Sequence, residues 1–536
     1  MFNAAYYPYP ARRAVVYGSK GMVATSQPLA AQAGLSIMQK GGNAIDAAIA
    51  TAACLTVVEP TSNGIGGDAF AIVWIKGELH GLNASGPAPK SISAAAVKAL
   101  GHEKMPDCGW LPVTVPGAPA AWGALSEKFG KLPLIDVLEP AINYARNGYG
   151  VSPTVSHSWK KALGIYQEKT SKVDLSSWFA TFAPKGRAPE IGETWSSEAH
   201  ANTLVAIGET NAKDFYHGKL AKMIVDASRQ ANGFLKAADL SAFKPEWVQP
   251  ISVNYRGYDV WELPPNGQGL VALSALNILK GYEFSEREHI DTVHKQIEAI
   301  KLAFTAGKKA ISDPMYMNTS HLKYLLGNEF AQAGRRSIGE LALTPDPGHL
   351  PKGGTVYLCT ADNEGNMVSY IQSNYLGFGS GIVIPETGIA LHNRGYDFSL
   401  DKNHVNCLMG GKKTYHTIIP GFLTKGDTPV GPFGVMGGYM QPQGHVQVLI
   451  NTIDFGLNPQ TALDAPRFQW LEGKTVEVEH GFPPHIALAL AAKGHDIKVN
   501  LDASSFGRGQ IIWRDPASGN LVGATESRCD GAVVAW

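Results

Sequence analysis

The sequence predicts an α+β fold gathered into one large, well-buried unit. Three observations carry that expectation. Alanine-rich apolar stretches near the start read as helices, whereas the chain after Thr355 is dominated by strand patterns as far as Pro459. Charged residues make up only 17% of the 536 and hydrophobic ones 44%, a balance suited to a big unit with proportionally little surface. The 59 glycines fit many tight turns and close-packed segments.

Near the start, Ser26 is placed to cap a first helix, with Pro28 in its opening turn and Gly41-Gly42 at its end. A second helix, about Ala44 to Thr56, is apolar nearly all round and is expected to be buried. Ala69 to Trp74 reads as a strand, and the middle of the chain, Ser152 to Asn254, mixes helical stretches with loops. Tyr258 to Leu263 is a strand that feeds Pro264-Pro265-Asn266-Gly267-Gln268-Gly269 and then a helix from Leu270 to Leu279. Gly267 to Ala272 fits a loose dinucleotide fingerprint, but two prolines intrude and no parallel β-α-β series surrounds it. The glycines there read instead as letting a helix start close against a sheet. Ser337 to Gly354 lacks periodicity and reads as an exposed connector. A late helix around Ala489 to Lys493 and strands Ile497 to Leu501 and Gln510 to Arg514 close the chain.

Lys+Arg and Asp+Glu both number 46, so no overall field attracts nucleic acid or an anionic membrane, and a small-molecule or peptide partner is expected. The five cysteines show no ligand spacing and are expected to be buried as small apolar groups, with no metal and no cofactor. Met1 to Arg13 lacks the apolar core of a signal peptide and no run of 18 apolar residues exists, which gives a cytoplasmic expectation.

The chemistry concentrates at Lys352-Gly353-Gly354-Thr355-Val356-Tyr357-Leu358-Cys359-Thr360-Ala361-Asp362. A proline- and glycine-bearing approach delivers a threonine to the mouth of an apolar run that turns at Asp362 to Asn366 and returns as Met367 to Gln372, a β-hairpin. Alone, a threonine behind glycines is what strands and turns contain. Cut between Gly354 and Thr355, however, the chain would present a hydroxyl beside a free α-amine able to take its proton.

Blocks elsewhere give that site a context: Gly41 to Ala48, Glu59-Pro60 through Gly64-Ile65-Gly66-Gly67-Asp68, Val115-Pro116-Gly117, Gly377 to Ile382, His392 to Phe398, His416-Thr417, Met436-Gly437-Gly438 and Asp530-Gly531-Ala532. In this order they resemble the γ-glutamyltransferase family of N-terminal-nucleophile hydrolases over nearly the whole chain. The resemblance implies an αββα sandwich, two stacked antiparallel sheets between helix layers. It also implies a proenzyme that cleaves itself at Gly354–Thr355 into a large chain, 1–354, and a small chain, 355–536, which stay together as a heterodimer. Thr355 aligns with the nucleophile, Ser373 with a hydroxyl residue that hydrogen-bonds it, and Gly437 and Gly438 with the oxyanion hole, whose donors are worth about 3 kcal/mol of barrier each. An α-amine with a reference pKa of roughly 7.7–8.0 serves as the base.

On the substrate side, Asp397 aligns with the aspartate that holds the α-amino group of a γ-glutamyl substrate. His416 and Thr417 stand in the place of a carboxylate-binding serine pair, and Asn374-Tyr375 replaces a segment with asparagine at the Tyr375 position. The family's carboxylate-binding arginine corresponds to Ser85, a loss serine cannot make good. Arg394 is positioned to take over from another direction. The link from Asp397 to His416 is short for a lid loop. The expected activity is amide hydrolysis or acyl transfer through an acyl-threonine, on γ-glutamyl compounds such as glutathione. The alternatives are another carboxylate-bearing amide (oxamate, or the bulky acyl groups of cephalosporin acylases) and a binding protein that keeps the fold but never processes.

Overall fold

The computed structural model describes residues 13–348, 350–351 and 353–536, so the leader question at Met1 to Arg13 falls almost wholly outside the described residues. The hairpin expected at Thr355 lies at the centre of the molecule. Strands Gly354–Asp362 and Met367–Tyr375 pair antiparallel, and Asp362 closes the turn by accepting the N–H groups of Glu364 and Asn366. Gly21–Thr25 flanks the hairpin on one side and Asp68–Ile75 on the other. Ala532–Ala535, Glu78–Ala84 and Glu246–Val248 extend this antiparallel sheet to seven strands. A second antiparallel sheet of seven runs Val16–Gly18, Leu521–Thr525, Arg508–Arg514, Thr428–Met436, Gly421–Lys425, Tyr258–Glu262, Ile251–Tyr255.

Alternation along the central strand explains the layering. Tyr357, Cys359 and Ala361 enter a core shared with Phe422, Met436 and Ile512 of the second sheet. Val356 and Leu358 point the other way, into a core with helices Pro28–Gln39 and Ala44–Val58. The far face of the second sheet packs on Gly269–Leu279, Ile290–Ala310 and Met440–Ile453. Helix, sheet, sheet and helix thus form the four expected layers. Because both faces of each sheet are covered, all nine residues of Met367–Tyr375 are buried.

Ala44–Val58 is buried along its whole length, as its all-round apolar character requires, and Asn43 and Asp46 form a capping box at its start. The first helix departs in detail from its expected start. Gln27 caps it, while the Ser26 hydroxyl donates to Glu59 at 2.5 Å. The largest departure is Met440–Ile453, which lies inside the stretch read as strands but is a buried helix. The chain also ends on two further strands, Leu521–Thr525 and Ala532–Ala535, beyond those expected. The five cysteines are all buried and free. Among the described residues no helix is long and apolar enough to cross a membrane.

Candidate functional site

Register at the hairpin breaks between Gly354 and Val356, so Thr355 sits at an irregularity that lifts its side chain out of the regular ladder. The Thr355 hydroxyl lies 2.6 Å from the Gly354 carbonyl oxygen and 3.1 Å from Ser373 Oγ, and Ser373 Oγ lies 3.0 Å from the same carbonyl. Ser373 is oriented by the Tyr375 N–H, which donates to its oxygen at 2.8 Å. That contact needs Tyr375 at φ +74°, a left-handed conformation a bulky residue adopts only when its surroundings impose it.

The glycines crowd backbone against this centre. A Cβ on Gly438 would stand 2.8 Å from Gly353 N, so the Gly437-Gly438 turn lies against the residue preceding Gly354-Thr355. Cβ atoms on Gly64 and Gly67 would meet the Asn374 amide at 2.8 and 2.9 Å. Neither amide atom of this buried Asn374 has a partner among the described residues.

Asp68, at the start of its strand and directly opposite Ser373, collects three donors on one oxygen. His416 Nε2 lies at 2.8 Å, His392 Nδ1 at 3.0 Å and Arg394 Nε at 3.1 Å. Burial alone would raise its pKa; His392 and His416 outweigh it and hold the carboxyl well below the usual range. Burial, then the Arg394 charge, push His416 down to about 3. His416 is therefore neutral, with its Nε2–H on Asp68 and Nδ1 accepting the Ile418 N–H. Arg394 is fully buried: Nη1 donates to Thr417 Oγ1 at 2.7 Å, its plane lies 4.2 Å over the Tyr375 ring, and Nη2 has no partner among the described residues.

Asp397 receives the hydroxyls of Tyr375 and Tyr439 on Oδ1 at 3.0 and 2.8 Å, and its buried Oδ2 is unpartnered among the described residues. Thr355, Ser373, Tyr375, Asp397, Arg394, His416 and Thr417 are thus linked by direct contacts. Ser85 is not in that chain of contacts. Its hydroxyl donates to Asn83 Oδ1 at 2.7 Å and accepts from Asn266 Nδ2 at 3.2 Å, within a buried amide cluster. Sequence reasoning left three members without a role. Asp68 stood inside one of the matching blocks and Tyr439 directly after Gly438. Gln268, in the dismissed fingerprint, donates from Nε2 to the carbonyls of Thr417 and Gly438 at 2.6 and 2.9 Å. Among the described residues one cluster has metal-ligand spacing, His294, Glu298 and His495, and there the buried Lys301 ammonium bonds Glu298 at 2.9 Å.

Residues 30–536 match the family model for gamma-glutamyltranspeptidase. The chain is 36% identical to the "Glutathione hydrolase-like YwrD proenzyme" of Bacillus subtilis, over 97% of this chain and 99% of the relative. It is 34% identical to the "Oxamate amidohydrolase proenzyme" of Klebsiella pneumoniae, over 96% and 98%. A solved structure of a cephalosporin acylase from Bacillus halodurans superposes with a TM-score of 0.97 at 61% identity, covering 100% of this chain and 99% of that one.

Two expectations follow from this geometry. A histidine held neutral to about pH 3 in the fold but titrating near 6.5 when unfolded makes the unfolded state bind the extra proton between those values. Stability should therefore fall as pH drops below about 6.5, by up to about 1.4 kcal/mol per pH unit for this group. Denaturant melts across that range should show it, with a shallower slope in His416→Gln. Ser85→Arg forces a guanidinium into the Asn83–Asn266 cluster, while a Cβ on the neighbouring Gly86 would already stand 1.8 Å from the Val115 carbonyl. Thermal melts should show Ser85→Arg several degrees less stable, with no gain in turnover.

Proposed function

The chain belongs to the γ-glutamyltranspeptidase family of hydrolases, and from that premise we propose that it processes itself at Gly354–Thr355 and then hydrolyses amides through an acyl-threonine. The product chains would be residues 1–354 and 355–536, held as a heterodimer. In processing, Thr355 Oγ attacks the Gly354 carbonyl carbon. The C–N bond breaks as the hydroxyl proton passes to the leaving nitrogen, and water hydrolyses the resulting ester. Ser373 supports this step: fixed by the Tyr375 N–H, it directs its own hydroxyl at the Gly354 carbonyl. In turnover the freed α-amine takes the Thr355 proton, the hydroxyl attacks the substrate carbonyl, and the N–H groups of Gly437 and Gly438 receive the oxyanion.

For the substrate, one observation carries the reading: Asp397 Oδ2 and Arg394 Nη2 are both buried without a partner among the described residues, and both side chains contact Tyr375. An anionic acyl chain alone would leave that oxygen unpaired and repelled. An acyl chain ending in an α-amino acid places its ammonium on Asp397 and brings a carboxylate for a neighbouring cation. A γ-glutamyl amide has that head. The identity to the solved cephalosporin acylase supports a second reading, an acylase for a bulkier acyl group.

Purified protein should run as two unequal fragments, while Thr355→Ala stays whole on a gel and inactive. With one leaving group, 4-nitroaniline, the γ-glutamyl anilide should be cleaved at least tenfold better than the glutaryl anilide, which lacks the ammonium. Asp397→Asn should lower kcat/KM on the γ-glutamyl anilide by roughly tenfold to a hundredfold, the value of a charge-assisted hydrogen bond. Preference of the unaltered enzyme for glutaryl or oxamate amides would replace this substrate with those of the second reading or of the oxamate enzyme.

A further inference from the structure

The helix Ile290–Ala310 carries in its last turn a lysine that no sequence block pointed to. Lys308 is half-buried, and its ammonium stands 4.5 Å and 4.6 Å from the ring centroids of Tyr415 and Tyr439. It donates to the Tyr439 hydroxyl at 2.7 Å, and that hydroxyl donates to Asp397 Oδ1 at 2.8 Å. Tyr439 directly follows the Gly437-Gly438 turn, so this lysine reaches the candidate site from the segment before the cleavage pair. Asp397 faces it as the opposing charge, and His404 lies close enough for the Lys308 ammonium to lower its pKa. Burial lowers its pKa and Asp397 opposes that. Tyr439 takes one of the three N–H donors of the ammonium.

We propose that Lys308 is a specificity-determining residue that receives the carboxylate of the substrate's acyl chain. The assignment rests on the amino-acid head read from Asp397. A cation and an anion flanking one hydroxyl are spaced for the two ends of an α-amino acid, the ammonium on Asp397 and the carboxylate on Lys308. Arg394 complements Lys308 but is largely committed: Nε and Nη1 are bound to Asp68 and Thr417, and the side chain is fully buried under Tyr375. Lys308 is the more accessible of the two. The cation missing at Ser85 is thereby supplied from a helix more than two hundred residues away in sequence.

The test uses processed enzyme and three 4-nitroanilides: γ-glutamyl, glutaryl (no ammonium) and 4-aminobutyryl (no carboxylate). Lys308→Met should lower the ratio of kcat/KM for γ-glutamyl to that for 4-aminobutyryl by about tenfold or more, mainly through KM, and Lys308→Arg should restore most of it. Equal losses on all three anilides would show a prop for Tyr439 and overturn the assignment, as would no loss at all. Free glutarate titrated calorimetrically should bind Lys308→Met about tenfold more weakly than the unaltered enzyme, and unchanged binding also overturns the assignment. If glutarate binding depends on Lys308 while no anilide is cleaved, the substrate reading fails and this assignment stands. Efficient γ-glutamyl cleavage that ignores Lys308 would do the opposite, overturning the assignment and leaving the substrate reading in place.

Discussion

The Asp68 carboxylate is the constraint on which the rest of the site depends. A buried charge is tolerated only when its partners are in place, and removing one partner of such a set typically costs about 3–5 kcal/mol. Asp68 draws its partners from His392, Arg394 and His416, in a stretch between Tyr375 and Gly421 that contains no named strand and one short 3-10 turn. That stretch is held by turns, isolated bridges and single backbone hydrogen bonds rather than by a continuous ladder. Three of its side chains converge on a carboxylate fixed in a sheet, and because Asp68 lies opposite Ser373, the fixed point is also beside Thr355. The arrangement of the candidate site and local fold stability therefore rest on the same contacts.

Local patterns made the hairpin, the buried helix Ala44–Val58 and the glycine turns legible. Each is specified by neighbours in sequence: alternation, all-round apolarity, a turn closed by Asp362. Met440–Ile453 was not legible, because its residues look wrong for a core. Its glutamines are polar for a reason only the tertiary structure reveals. Gln443 and Gln447 exchange hydrogen bonds with the backbone of Trp470 and Phe468, satisfying a strand edge the helix covers. The amides hide the helical period.

The candidate site divides along the same line. Thr355 and Ser373 lie across one hairpin, and the family resemblance, not spacing, singled out Ser373. The electrostatic partners come from distant segments, and no pattern announces them. Ser85 illustrates the difficulty: alignment marked an absence there, yet the position is already occupied by hydrogen bonds to Asn83 and Asn266. What compensates for a missing charge depends on which elements converge in space.

The strand order has a consequence for a cut at Gly354–Thr355. In the first sheet Gly21–Thr25 lies between Ala532–Ala535 and Gly354–Asp362, so segments from before and after the bond interleave. In the second, strands from the later segment are flanked at both ends by strands from the earlier one. Once nicked, neither piece could leave without dismantling both sheets, and each would lack a complete core of its own. Folding would then have been unimolecular in the precursor and become bimolecular ever after. The mature particle would be a product of its history, persisting through the height of its unfolding barrier, because dilution after denaturation would scatter two chains that were made to meet only once.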